Sequence, residues 1–152
     1  MRPSATILGM SFQWLTMRIS EERDRREKEA AITARLPGAL EELYRQLSAC
    51  VTSYGEAFGP EAAEIQFNPG KIRVTAREER DGRWETTARL EVTVMPSLPG
   101  FKVDQGTDEP LLIDIGLLPG EKLYYRNADQ YLTADEMTRR ILDRTLFPKL
   151  KD

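Results

Sequence analysis

The acidic residues Asp104, Asp108, Glu109 and Asp114 are of a type that could hold calcium or magnesium, which take several carboxylate or carbonyl oxygens. Their spacing is not that of a calcium loop, which needs acids at alternating positions and a fixed glycine; a solvated loop accounts for them. A carboxylate pair for glycoside hydrolysis must stand about 5–10 Å apart across a cleft. With 25 acidic residues in the chain, spacing singles out no such pair. Histidine is absent, which removes the usual general base near neutral pH, the usual activator of a serine or cysteine nucleophile, and the commonest transition-metal ligand. One cysteine cannot complete a zinc site. That cysteine, Cys50, falls beside Leu47 and Val51 in a helical apolar stripe and reads as a small core residue. Having no internal partner, it points to a reducing compartment, so a cytoplasmic location is the expectation. No catalytic residue, cofactor or metal is expected.

Two constellations suit recognition better than catalysis. The stretch Leu123–Leu132 brings Tyr124, Tyr125, Arg126 and Tyr131 together, and tyrosine and arginine offer large contact area and strong hydrogen bonding. With Asp114 and Trp84 they form the expected lining of a pocket between sheet and helix. The plainer account is that the tyrosines cover the edge of the core and Arg126 pairs with Asp129. The second constellation is Phe12, Trp14, Leu15, Met17 and Ile19, cut off from the next apolar stripe by Ser20–Glu29, where no apolar residue occurs. Left in water, such a segment is a liability. It could fold back, pack on a second copy, or lie on a membrane, but Arg2 and Arg18 give too little basic charge for an interfacial helix. The expected partner is a second copy of the chain, as a dimer, or another protein.

Specific elements must position these groups. Ser20 reads as a helix N-cap, followed by Glu21 and Glu22 and by acid-first pairs Glu21–Arg25, Glu22–Arg26 and Asp24–Lys28. From Ile32 a stripe runs through Leu36, Leu40, Leu43, Leu47, Cys50, Val51, Tyr54 and Phe58. Pro37 interrupts it and predicts a kink or a break; the kept register favours the kink. Alternation then predicts strands over Ala63–Asn68, Lys71–Glu79 and Arg83–Met95, with Ile65, Phe67, Ile72, Val74, Ala76, Trp84, Ala88, Leu90, Val92 and Val94 inward.

Facing residues must share a side of the sheet, so register can be tested by parity. A Pro69-Gly70 turn passes, facing Phe67 with Ile72. A two-residue Asp81-Gly82 turn fails, facing Val74 with Arg89. A three-residue Arg80-Asp81-Gly82 loop restores parity, with Val74 facing Ala88 and a repulsive Arg73–Arg89 pair. Further on, Phe101–Asp104 reads as a short edge strand, Leu111–Leu117 as a buried strand and Leu123–Arg126 as a short final one. Thr133-Ala134-Asp135-Glu136 is a capping box, Leu132 and Met137 form a hydrophobic staple, and Pro148 ends the last helix.

The expected fold is α+β: a long kinked N-terminal helix packed on an antiparallel meander of four to five strands, with a C-terminal helix. Residues 1–29 form an apolar segment and charged arm, and residues 30–152 one domain. At 152 residues the chain can bury a core without disulfides. The expected outer sheet face mixes Arg73, Arg77 and Arg89 with Glu64, Glu85 and Glu91, and the net charge is −3, so nucleic acid is not an expected partner. No apolar run is long enough to span a membrane, and Ile7–Ile19 lacks the features of a cleaved leader. Met1 and Met10 are alternative starts; Phe12 and Trp14 remain with either.

Overall fold

The computed structural model describes residues 6–7 and 10–150, with side chains from residue 11 onward; Met1 and Arg2 lie outside the described residues. Its order is a two-stranded hairpin, a long helix, a meander sheet and a short helix. Strands β1 (Thr6–Ile7) and β2 (Met10–Ser11) pair antiparallel and lead straight into α1 (Gln13–Phe58). Strands β3 (Ala63–Asn68), β4 (Lys71–Arg80), β5 (Arg83–Met95), β6 (Gly100–Asp104), β7 (Leu111–Leu118), β8 (Lys122–Asn127) and β9 (Gln130–Leu132) form one antiparallel sheet in sequence order, and α2 (Ala134–Leu146) follows.

Helix α1 has 46 residues and is therefore about 69 Å long. It begins at Gln13, so Ser20 lies inside it and caps nothing. Residues Gln13–Ile19 continue the charge-laced segment as helix because the ion pairs that follow support the same turns. The helix also runs through Pro37 without ending there. Proline inside a helix costs about 3 kcal/mol. Leu36, Leu40, Leu43 and Leu47 on either side are buried in one core, and each contributes about 1.5–3 kcal/mol, so continuity wins. Gly59, with φ 111°, then turns the chain out of the helix, its N–H bonding the Gly55 carbonyl at 2.8 Å.

The β3–β4 register is the expected one, with Phe67 opposite Ile72 and Ile65 opposite Val74. The β4–β5 register is not. The loop is the two-residue Asp81-Gly82 turn that parity had rejected, with Arg80 opposite Arg83. Both turn residues have positive φ, 52° and 76°, the backbone that matches strand twist in a two-residue hairpin. A bulge between Ala76 and Arg77 absorbs the parity conflict within the ladder, so Val74 faces Leu90 and Ala76 faces Ala88. The expected Arg73–Arg89 repulsion disappears with it. Arg73 instead faces Glu91, and Nε donates to Oε1 at 3.0 Å.

The sheet is wider than expected. β6 is an interior strand between β5 and β7, and the short β9 adds a seventh strand through the Ala128-Asp129 turn. β7 is not buried on both faces along its length: Ile113 and Ile115 are buried in the core, while Leu112, Asp114 and Leu118 on the other face are exposed. The α1 stripe, the inner sheet residues and Met137, Ile141, Leu142 and Leu146 of α2 form one core. α2 starts as the sequence indicated. Thr133 Oγ1 accepts from the Glu136 N–H at 3.2 Å, and the staple residues Leu132 and Met137 are both buried.

Candidate functional site

The first buried residue of α1 is Ile32. The helical residues before it, 13–31, make an arm about 28 Å long. Ion pairs brace it: Arg18–Glu21 at 2.8 Å, Arg25–Glu22 at 2.6 Å, Arg26–Glu22 at 3.1 Å, and Arg25–Glu29. Hydrogen bonds from Arg25 and then Arg26 lower the Glu22 carboxyl to about 2, and Glu22 with Glu29 raises Arg25 above its ordinary value. These groups are solvent-facing, so they favour helix over coil only modestly. The arm's tip carries the apolar group. Trp14 is 65% exposed and Met17 58% exposed, while Phe12, Leu15 and Ile19 are half-buried. At the arm's base, Arg26, Glu29, Ala30, Thr33 and Ala34 meet Pro96 around a hollow of about 520 Å³. Leu98, in the same β5–β6 turn, is 71% exposed.

The second constellation divides between the two faces of the sheet. Tyr125 shares the core face with Ile115 and Leu132 and stacks on Phe101, ring centroids 6.1 Å apart. Burial raises its hydroxyl pKa, and the Glu42 charge on α1 adds to the rise. By the alternation of the pleat, Tyr124, Arg126, Asp114 and Tyr131 lie on the opposite face. There the Tyr124 and Tyr131 rings meet at 5.3 Å, and Arg126 Nη2 lies 3.9 Å from Asp114 Oδ2 in place of the expected Asp129. Gly116 makes room for the Tyr124 ring, since a Cβ there would stand 2.0 Å from Cζ.

Trp84 belongs to neither group. It lies beyond the β5 bulge opposite Glu79, outside the core, with its ring edge over Gly59. It is roughly 40 Å along the strand direction from the level of Tyr125. The inward direction expected for Trp84 assumed unbroken alternation, which the bulge ends. The six residues therefore line no common pocket between sheet and helix.

A groove lies between the two helices instead. It has about 620 Å³ and is lined by Cys50, Tyr54 and Phe58 of α1 with Leu142 and Leu146 of α2 and Phe147 beyond it. The Tyr54 hydroxyl donates to the Leu146 carbonyl at 3.3 Å, and its ring packs on Phe58 at 4.9 Å and Phe147 at 5.6 Å. Burial, then the Glu78 charge, raises the Tyr54 hydroxyl pKa. Sequence reasoning assigned Cys50, Tyr54 and Phe58 to the core stripe; in the fold Cys50 and Tyr54 are half-buried and Phe58 is exposed. The available signal was that α2's short stripe could not cover this end of the long one.

Among the described residues no cluster of three His, Cys, Asp or Glu side chains could hold a metal ion. The Asp104 carboxylate accepts from the Gly106 N–H at 3.0 Å, which is loop bracing. No described helix is long and apolar enough to cross a membrane. Compared with protein-family models, with curated proteins and with solved structures, the chain finds no match in any of the three.

Proposed function

We propose that the chain is a non-catalytic interaction module that self-associates through its N-terminal helical arm. The observation that carries this reading is the exposure of Trp14 and Met17 at the tip of a braced helix, well ahead of the first buried residue, Ile32. A helix polar on all sides between two apolar groups serves to hold those groups apart. Burying the tip against a second copy removes apolar area from water, and a symmetric dimer is the commonest closed assembly. Absolute mass by light scattering after size exclusion tests the reading, on the full chain and on a chain lacking residues 1–19. The expected result is a full-length dimer and a truncated monomer. A monomeric full-length chain at high micromolar concentration refutes it.

A second reading rests on the groove between α1 and α2. Its 620 Å³ lies within the usual size of a small-molecule site, about 300–1,000 Å³. An apolar ligand seated between Tyr54, Phe58 and Phe147 raises the melting temperature by mass action. A thermal-shift screen that finds such a ligand, with the shift abolished in Phe147→Ala, favours this reading over the first.

A further inference from the structure

Along one side of the arm, Leu15, Ile19, Glu22, Arg26, Glu29 and Thr33 recur at alternating spacings of four and three, the spacing of a two-helix seam. Charges occupy its centre. A parallel, in-register pairing sets Glu22 on Glu22, Arg26 on Arg26 and Glu29 on Glu29, a repulsion at each level. Glu22 and Arg26 are paired within each arm at 3.1 Å, and an antiparallel pairing with Glu22 level with Arg26 of the second copy lets each also meet the opposite charge at two central contacts related by the two-fold axis.

That register also decides where the apolar tip lands. Counting outward from the centre, Ile19 comes level with Glu29 of the second copy and Leu15 with Thr33. Glu29 is already held by Arg25, which leaves its methylene stem as the part nearest the seam. Thr33 and Ala34 are the small residues at the arm's base, where Pro96 closes the 520 Å³ hollow and Leu98 stands exposed beside it. Bulky tip residues therefore reach a level with small side chains, an open hollow and an exposed apolar turn. Charge and side-chain size are both satisfied at this offset.

Resting on the self-association reading above, we infer that two copies pair their arms antiparallel, Glu22 against Arg26, with Leu15 and Ile19 of each tip packed toward the Ala30–Ala34 and Pro96–Leu98 corner of the other. The dimer is thereby stabilised at three places, the centre and both ends. The arm's charged middle sets orientation and the two tips supply most of the affinity.

Disulfide trapping tests the orientation directly. With Cys50→Ala as background, full chains carrying Glu22→Cys and Arg26→Cys are mixed and oxidised. The expected product is the mixed 22–26 disulfide. In the proposed register two copies of position 22 are about 6 Å apart along the axis in addition to the interhelix distance, beyond disulfide reach. Independently, Leu98→Glu, in an exposed turn, is expected to weaken dimerisation at least tenfold by sedimentation equilibrium while leaving the circular dichroism unchanged. A dimer that gives same-residue disulfides, gives no disulfide, or ignores Leu98→Glu overturns the antiparallel docking and leaves self-association standing. A full chain that is monomeric overturns both.

Discussion

Gly100 is a sharp place to perturb the fold, because what a side chain would strike there is backbone. Gly100 lies in β6 between Met95 of β5 and Asp114 of β7 and is buried. A Cβ added to it would stand 2.2 Å from the Ile113 carbonyl oxygen, 3.1 Å from that carbonyl carbon and 3.3 Å from the Asp114 Cα. A tolerable carbon–oxygen approach is about 3.3 Å, so β6 and β7 must separate by roughly 1 Å at this level. Overpacking of this kind costs about 1–3 kcal/mol. Gly100 is not among the positive-φ glycines, so Ala suits its backbone and returns about 0.4–1 kcal/mol through the unfolded chain.

The expected net loss for Gly100→Ala is about 1–2 kcal/mol, a fall in melting temperature of roughly 3–8 °C for a chain of this size. Gly116→Ala is the control. There the obstacle is the Tyr124 ring, at 2.0 Å from the added Cβ, and a ring on the open sheet face can rotate away. Its cost is expected to stay below about 1 kcal/mol. Urea unfolding at one protein concentration, followed by tryptophan fluorescence and far-ultraviolet circular dichroism, measures both. A Gly100→Ala chain as stable as the parent, or a Gly116→Ala chain that loses more, refutes the reasoning that the strand-to-strand approach at Gly100 is sterically closed.

Leu47→Ala removes a side chain that is 0% exposed and is expected to cost about 2–5 kcal/mol by denaturant unfolding; a loss under 1 kcal/mol would contradict the burial of the α1 stripe. Thr133→Ala deletes the oxygen that accepts from the Glu136 N–H at 3.2 Å, and a loss of about 0.5–2 kcal/mol is expected in the same assay, largely restored by Thr133→Ser. Glu22 has its carboxyl lowered by Arg25 and Arg26 from 4.5 to about 2. A depressed folded-state value means that its ion pairs favour the arm helix above pH 4.5 and are lost as the pH falls through about 2. Carboxyl carbon shifts by NMR should place the Glu22 midpoint below the ordinary glutamate value, and a midpoint at that value means that the pairs do not hold in solution. The Arg73–Glu91 contact at 2.8 Å replaces the repulsion of the alternative register. Glu91→Arg should therefore cost up to about 1 kcal/mol while Arg89→Glu stays near neutral; the reverse order would favour the three-residue loop.

Legibility in the sequence followed the range of the interaction. The stripe from Ile32 to Val51, the Pro69-Gly70 hairpin with its register, and the capping box with its staple are set by residues within a few turns or one hairpin of each other, and all three appear in the structure. The exposed arm tip was legible for the same reason: Ser20–Glu29 offers no apolar residue to bury, whatever the rest of the chain does.

What only the tertiary structure decided depends on surfaces far apart in the chain. Pro37 stays inside one helix because the leucines on both its sides are held by a core common to the sheet and α2. The register kept across Pro37 already favours one helix, and the shared core supplies the energy that holds it. Asp81-Gly82 keeps its preferred two-residue turn because a bulge at Ala76/Arg77 corrects the register; parity reasoning assumed one continuous ladder and so displaced the loop instead. The same bulge removes Trp84 from the face assigned to it. The tyrosines of β8 separate because adjacent residues on a strand point to opposite faces, and only the pairing of Tyr125 with Ile115 and Leu132 settles which of them the core takes. Patterns of charge and apolarity along the chain thus determined the α1 stripe, the first hairpin of the large sheet, the cap of α2 and the arm's apolar end. The width of the sheet, the position of the bulge and the face each aromatic occupies were set by which distant surfaces could be buried together.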